Sequence, residues 1–331
     1  MIDISEQSYL GRVHEQLELI DLCNEVCEAF ALGNYISHTV ITTGYEDLNI
    51  HLVSSTGGHL VKVFAQTRSD EECERYGVIN DAVLHAGVKG TPKLYISAAG
   101  KHLHSYIQDD KLVRLCVTEF IQGETYLASG QIPSAEERKF LVGEAAKVHE
   151  VQLSFPHVYD CWCIQHLDKE YTLKKQSLSV LDHELVLPVL EKFKTLNHDA
   201  LPKQFIHGDI NVNNVIKDDR DGSLHIIDFS PAVANVYPRI QELAVLIAWL
   251  FFDPKRTDNT DELIQETTTT YNARYPLEVT EQETLPTYVQ AVFAILVIEA
   301  SYEREVNGDV SPQAIEYYNR GVAGLQATKK L

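Results

Sequence analysis

Residues 205–216 read Phe-Ile-His-Gly-Asp-Ile-Asn-Val-Asn-Asn-Val-Ile. A short apolar run leads into His207-Gly208-Asp209, and Asn214 follows five residues after Asp209. A second apolar run, Leu224-His225-Ile226-Ile227, ends in Asp228-Phe229. Two carboxylates and a carboxamide, each at a strand end or on the loop between strands, can converge on one cleft. Phosphoryl transfer needs such a set: one carboxylate to orient the attacking hydroxyl and accept its proton, and a carboxylate with an amide oxygen to hold a metal on the phosphates. Hard oxygen ligands of this kind suit Mg²⁺, which takes only one or two carboxylates from protein. Asp209, Asn214 and Asp228 are therefore the candidate site residues, one carboxylate as base and the other with the amide oxygen as metal site. Asp and Asn are common in turns, so the signal lies in their order and spacing rather than in any one residue.

Lys62 is the second piece. It stands in Leu60-Val61-Lys62-Val63-Phe64, where period-2 alternation puts it on one face with Leu60 and Phe64. A lysine among apolar neighbours is costly unless its charge is paired or its head reaches water. A strand lysine gripping nucleotide phosphates and paired with a helix carboxylate accounts for it. Glu74 is the favoured partner, because it shares an i, i+4, i+8 stripe with Val78 and Ala82; Glu71 is the alternative. Thr43 and Gly44, in Thr42-Thr43-Gly44-Tyr45-Glu46-Asp47, are candidates for covering the phosphates with hydroxyls and backbone N–H groups. Neither G-x-G-x-x-G nor G-x-x-x-x-G-K-[ST] is present there, and the latter occurs nowhere in the chain.

The elements that position these residues are legible in outline. Helical spacing over 16–32 is followed by strand alternation at 48–52, a Ser-Ser-Thr-Gly-Gly break and a strand over 60–64. A helix from Ser69 or Asp70 to about residue 86 comes next, then strands near 93–96 and 112–120. After Gly123 helices dominate. Ser134-x-x-Glu137 is a capping box opening a helix to about residue 151. Further helices are expected near 184–196, 238–252, 261–274, 281–304 and 311–328. A β-rich patch over 204–229 has Asp221-Gly222 as its turn. The expectation is an α+β fold of kinase-like outline: an N-terminal lobe of antiparallel sheet and helices over 1–120, and a larger, mainly helical lobe over 121–331.

Composition narrows the partners. The chain has 331 residues, 44% hydrophobic and 23% charged, with 48 acidic against 28 basic side chains and a formal net charge of −20. Such a surface repels phosphate backbones, which argues against nucleic acid and anionic membranes and favours a small cationic substrate. Six cysteines are too sparse for a disulfide framework in a chain of this length, so reduced thiols and a cytoplasmic setting are expected. The N-terminus has no basic start followed by an apolar run. The longest unbroken apolar stretch, 243–252, is too short to span a bilayer.

At these motifs, from about residue 41 to 303, the chain resembles the aminoglycoside phosphotransferase superfamily. That is the small-molecule branch of the protein-kinase-like fold, with choline, homoserine, fructosamine and hydroxylysine kinases in it. The resemblance rests on His207-Gly208-Asp209 with Asn214, on Ile227-Asp228-Phe229, and on Lys62 with Glu74. It is strongest toward the hydroxylysine kinase and homoserine kinase branches, through Gly44-Tyr45-Glu46-Asp47-Leu48-Asn49-Ile50-His51-Leu52. It implies a two-lobed kinase using ATP or GTP with Mg²⁺, acting as a monomer or homodimer. In that frame Asp209 is the base, Asn214 and Asp228 are the metal ligands, and Thr118, Glu119 and Phe120 open the connector whose backbone meets the nucleotide base. Glu242 is structural.

Ser230 replaces the Gly of Asp-Phe-Gly, His-Gly-Asp replaces His-Arg-Asp, and no Ala-Pro-Glu follows Asp228. These departures disfavour a protein kinase. Retention of Lys62, Asp209, Asn214 and Asp228 together disfavours an inactive nucleotide-binding scaffold. For the acceptor, Asp160 and Trp162, one of only two tryptophans, set a carboxylate beside an aromatic face. That pairing suits an ammonium group, as in amino alcohols, hydroxy amino acids or aminoglycosides.

Overall fold

The computed structural model describes residues 10–13, 17–42, 47–108, 110–256 and 259–330. They fall into two compact units, one of Met1–His85 with Gly90–Gln122 and one of Ala86–Lys89 with Gly123–Leu331.

Residues 10–13 are helical, and helix α1 (Leu19–Ala29) comes next in the first unit, followed by strands β1 (Tyr35–Ile41), β2 (Leu48–Ser54) and β3 (Gly57–Val63). Helix α2 (Asp70–His85) and strands β4 (His104–Gln108) and β5 (Lys111–Glu119) complete it. The strands form one antiparallel sheet in the order β1-β2-β3-β5-β4. Alternation sorts its two faces. Leu48, Ile50 and Leu52 of β2 join Val61, Val63, Val113, Leu115 and Val117 in a core shared with Leu22, Cys23, Val26 and Cys27 of α1. Cys116 clusters instead with Phe64, Leu94 and the α2 residues Cys73 and Tyr76. Both faces are covered at the end of β3, where Lys62 is set between Val61 and Val63.

The strand expected at 93–96 is only a single bridge, Leu94 to Thr118. Pro92 has no N–H to offer a ladder just before it. Strand β4 was not legible in advance, because it is an edge strand whose Ser105 and Ile107 face outward and blur the polar–apolar alternation.

The second unit holds two small sheets: β6 (Gly123–Thr125) with β8 (Val215–Asp218) and β9 (Leu224–Ile226), and β7 (Lys203–Ile206) with β10 (Asn235–Pro238). The β8–β9 turn is wider than an Asp-Gly pair alone, closing through Asp218 N to Ser223 O at 2.9 Å and Gly222 N to Asp218 O at 2.9 Å. Helix α3 (Ala135–Val148) opens on the expected reciprocal cap between Ser134 and Glu137. Helix α4 (Leu167–Lys174) was not anticipated, and α5 (Val180–Lys194) starts earlier than its pattern indicated. The α5 start is set by a cap between Ser179 and Asp182, which the exposed Val180 and Leu181 obscure in the sequence.

Helices α6 (Ile240–Val245, running on as a π-helical segment Leu246–Phe251), α7 (Thr260–Asn272), α8 (Val279–Val306) and α9 (Pro312–Ala327) finish the chain. Helix α8 is the core of this unit. Its 28 residues are long and apolar enough to cross a membrane, yet 89% of its most apolar window is buried among the protein's own elements. Interspersed Thr287, Gln290 and Glu299 hid its length from a search for unbroken apolar runs. Helix α9 lies unusually close to it: a Cβ on Gly324 would sit 2.2 Å from the Phe293 ring, and one on Gly321 would sit 2.8 Å from Phe293 O.

Candidate active site

The catalytic-loop candidate leaves β7 at Ile206 and turns sharply. Gly208 has φ +79°, and a Cβ there would lie 2.8 Å from Val233 O, so only glycine fits. The turn is pinned from beneath. Glu242, fully buried at the start of α6, accepts from His207 N at 2.6 Å and Gly208 N at 3.1 Å. His207 is itself buried, its Nε2 lying 3.0 Å from Ile227 O, so its ring ties this loop to the segment leading to Asp228.

Asp209 is held by amides. Asn211 Nδ2 donates to its Oδ1 at 2.5 Å, and Asn214 Nδ2 donates to its Oδ2 at 2.7 Å and to its backbone O at 2.9 Å. Burial raises the Asp209 carboxyl well above the usual carboxylate range, and the negative charges of Asp160 and Asp228 raise it further; the two amides oppose them. The result is a carboxylate fixed in orientation and more basic than one in water, which suits a proton acceptor. Asn211 was not singled out in the sequence. Its position two residues after Asp209 was the available signal, but Asn is too common in turns for that to decide.

Asn214 and Asp228 stand at the same end of the β8–β9 hairpin, joined through Ile227 N to Asn214 O at 3.0 Å. Because the Asn214 N–H groups are committed to Asp209, its carboxamide oxygen is the atom left to face a ligand. Asp228 adopts φ +59°, a left-handed backbone that non-glycine residues enter mainly at constrained sites. A carboxamide oxygen and a carboxylate are hard donors, and the pair fits a Mg²⁺ that keeps its remaining positions for water and phosphate. Among the described residues, no group of three or more His, Cys, Asp or Glu side chains is arranged to hold a metal by itself. All six cysteines are free thiols.

Asp160 and Trp162 lie on the approach to α4. The Trp162 ring meets Trp249 at 5.7 Å and Tyr317 at 5.5 Å, and those two meet each other edge-on at 5.0 Å. The Tyr317 hydroxyl is bonded to Asn213 Nδ2, so this aromatic group is tied directly to the loop that carries Asp209. Asp160 accepts from Trp162 N at 2.7 Å, and its charge is among those acting on Asp209. Trp249 and Tyr317 were invisible to sequence reasoning because they come from α6–π and α9, 87 and 155 residues after Trp162.

In the first unit, Lys62 is buried as expected, its Nζ 5.6 Å from the centre of the Tyr76 ring. The carboxylate beside it is not the expected one. Asp47 Oδ2 lies 3.2 Å from Lys62 Nζ. Glu74 is exposed and forms no ion pair among the described residues, while Glu71 binds Arg75 at 2.7 Å. The stripe read through Glu74, Val78 and Ala82 is the outward one; α2 buries Cys73, Tyr76, Gly77, Asn80 and Val83, one position round the helix. Thr43 and Gly44 lie outside the described residues. Thr118 is buried near the end of β5, Glu119 N donates to Lys93 O at 2.8 Å, and the Phe120 ring stacks on His51 at 3.6 Å, 9° from parallel.

The sequence profile described as the phosphotransferase enzyme family matches residues 37–277. The chain belongs to that family. As a phosphotransferase it acts on hydroxyl groups, and solved structures agree on its fold. Spectinomycin phosphotransferase in complex with ADP and spectinomycin superposes with a TM-score of 0.66 at 13% identity, over 94% of this chain and 98% of that one. An amicoumacin kinase bound to AMP-PNP and Ca²⁺ gives 0.65 at 13% identity, over 95% and 94%. A choline kinase from Streptococcus pneumoniae gives 0.59 at 15% identity, over 94% and 99%. The architecture of this phosphotransferase is thus the two-lobed protein-kinase-like one. No curated protein matches the sequence.

Proposed function

We propose that this phosphotransferase transfers the γ-phosphoryl group of ATP, or of GTP, to the hydroxyl of a small amine-bearing molecule such as an amino alcohol, a hydroxy amino acid or an aminoglycoside. The observation that carries the reading is the Asp209 carboxylate, half-buried, raised in basicity and aimed by two amides. As the hydroxyl oxygen bonds to the γ-phosphorus and the bond to the bridging oxygen breaks, Asp209 takes the hydroxyl proton. Lys62 balances charge on the α- and β-phosphates, and the backbone at Thr118, Glu119 and Phe120 meets the base. Asn214 and Asp228 would hold Mg²⁺, which when bound neutralises charge across the phosphates.

An amine on the acceptor is supported by Asp160 beside Trp162, Trp249 and Tyr317: an ammonium over an aromatic face gains about 0.5–2 kcal/mol, and a nearby carboxylate adds to it. Solved structures of the same fold include kinases whose names specify choline, ethanolamine and aminopropanol.

The test is an ATP-consumption screen over amino alcohols, hydroxy amino acids, aminoglycosides and their deaminated analogues, repeated with Asp209→Asn. Turnover should require the amine and should fall by about 10²–10⁴ in the variant, with the dissociation constant for Mg-nucleotide little changed. Equal rates on deaminated analogues would remove the amine. Near wild-type turnover by Asp209→Asn would remove the base.

A further inference from the structure

The phosphate-gripping lysine in this fold type is expected to take its carboxylate from the helix that follows it, and here that helix does not supply one. Asp47 does. It precedes β2 by one residue, and the β2–β3 register pairs Leu48 with Val63 and Asn49 with Lys62, which brings Asp47 and Lys62 to the same end of the hairpin. Its carboxylate is buried, 5% exposed as a residue, and it is surrounded by donors. Lys62 Nζ lies 3.2 Å away. Arg68 grips the carboxylate with Nε at 2.9 Å and NH2 at 3.1 Å, and Ala65 N donates at 3.1 Å. Ala65 and Arg68 follow Lys62 by three and six residues, so the whole arrangement is built from the hairpin and the five residues after it.

We infer that Asp47, braced by Arg68, is the residue that positions Lys62 for the nucleotide phosphates, in place of a carboxylate on α2. This rests on the reading of Lys62 as a phosphate ligand. The physical consequence is that the clamp is set by strand register, which is rigid, rather than by the placement of a helix that can shift. The Arg68 fork and the Ala65 N–H leave the Asp47 carboxylate one orientation, and that orientation presents Oδ2 to Lys62. The α2 carboxylates nearest in sequence are occupied or outward, Glu71 with Arg75 and Glu74 toward solvent.

The experiment measures calorimetric binding of AMP-PNP with Mg²⁺ to the full chain and to Lys62→Ala, Asp47→Asn, the double variant, Asp47→Glu, and Glu74→Gln. Asp47→Asn should weaken binding by roughly tenfold or more, the scale of one charge-assisted hydrogen bond. The double variant should bind no worse than Lys62→Ala alone, because a residue acting through Lys62 has nothing left to position. Asp47→Glu should recover part of the loss, and Glu74→Gln should bind as wild type. Unchanged affinity in Asp47→Asn, fully additive losses in the double variant, or a tenfold loss in Glu74→Gln would each overturn the inference. If Asp47→Asn does not fold, Arg68→Lys serves in its place: it should show the same non-additivity with Lys62→Ala, and additivity would overturn the inference equally. Unchanged binding by Lys62→Ala would instead remove the phosphate-ligand role of Lys62, a different failure.

Discussion

Replacing Glu242 by Gln should change how stability depends on pH. The Glu242 carboxyl is fully buried, and that burial raises it from 4.5 to about 7, against the pull of backbone N–H donors from the catalytic loop. A folded-state value above the unfolded one means that the neutral carboxyl is preferred in the folded chain. Its stabilising contribution is therefore complete below about pH 4.5, falls as pH rises toward 7, and is gone above it. The size follows from the shift, about 3 kcal/mol at 1.36 kcal/mol per unit. Gln stays uncharged at every pH: its carbonyl oxygen can accept from His207 N and Gly208 N, and its amide replaces Oε1, which has no hydrogen-bond partner among the described residues.

The variant and the wild type should thus be equally stable near pH 5 and diverge by up to about 3 kcal/mol in favour of Gln near pH 8. Glu242→Ala is the contrast. It strands two buried backbone donors at about 1–3 kcal/mol each and so should destabilise by about 2–6 kcal/mol. Urea denaturation of the three proteins across that pH range measures both effects. Parallel pH profiles for wild type and Glu242→Gln would refute the charge argument, and an Ala variant as stable as Gln would refute the anchoring role.

Two further outcomes are expected. Asp228→Ala should abolish the dependence of nucleotide affinity on divalent metal, read by titrating AMP-PNP with Mg²⁺ and with EDTA; a wild-type response to metal would show that Asp228 is not a ligand. Gly324→Ala should lower the melting temperature, since its methyl group would sit 2.2 Å from the Phe293 ring and force α9 away from α8, a strain of about 1–3 kcal/mol. An unchanged melting temperature would mean that the α8–α9 contact yields freely.

What could be read in advance was whatever lies close along the chain. His207-Gly208-Asp209, Asn214 and Asp228 occupy 22 consecutive positions, and the strand–loop–strand that holds them is specified by its own alternation and glycine. Lys62 stood out because one charge interrupts an apolar strand. Glu74 was misassigned because α2 carries polar residues on its buried face, Asn80 and Arg75 among them. That leaves its amphipathic stripe ambiguous by one position, or about 100° of rotation.

By itself, then, the sequence determined the α+β class, the loop that carries Asp209 and Asn214, and the lysine set in an apolar strand, because each of these is a local pattern of residue type against a fixed backbone period. Only the tertiary structure decided which carboxylate meets Lys62, which glutamate anchors the loop beneath Asp209, and which aromatics gather around Trp162. Those pairings join residues 15, 35, 87 and 155 positions apart. Along the chain nothing distinguishes Asp47 from Glu74 or Trp249 from any core tryptophan; the choice is made by strand register, helix rotation and the close approach that Gly321 and Gly324 allow.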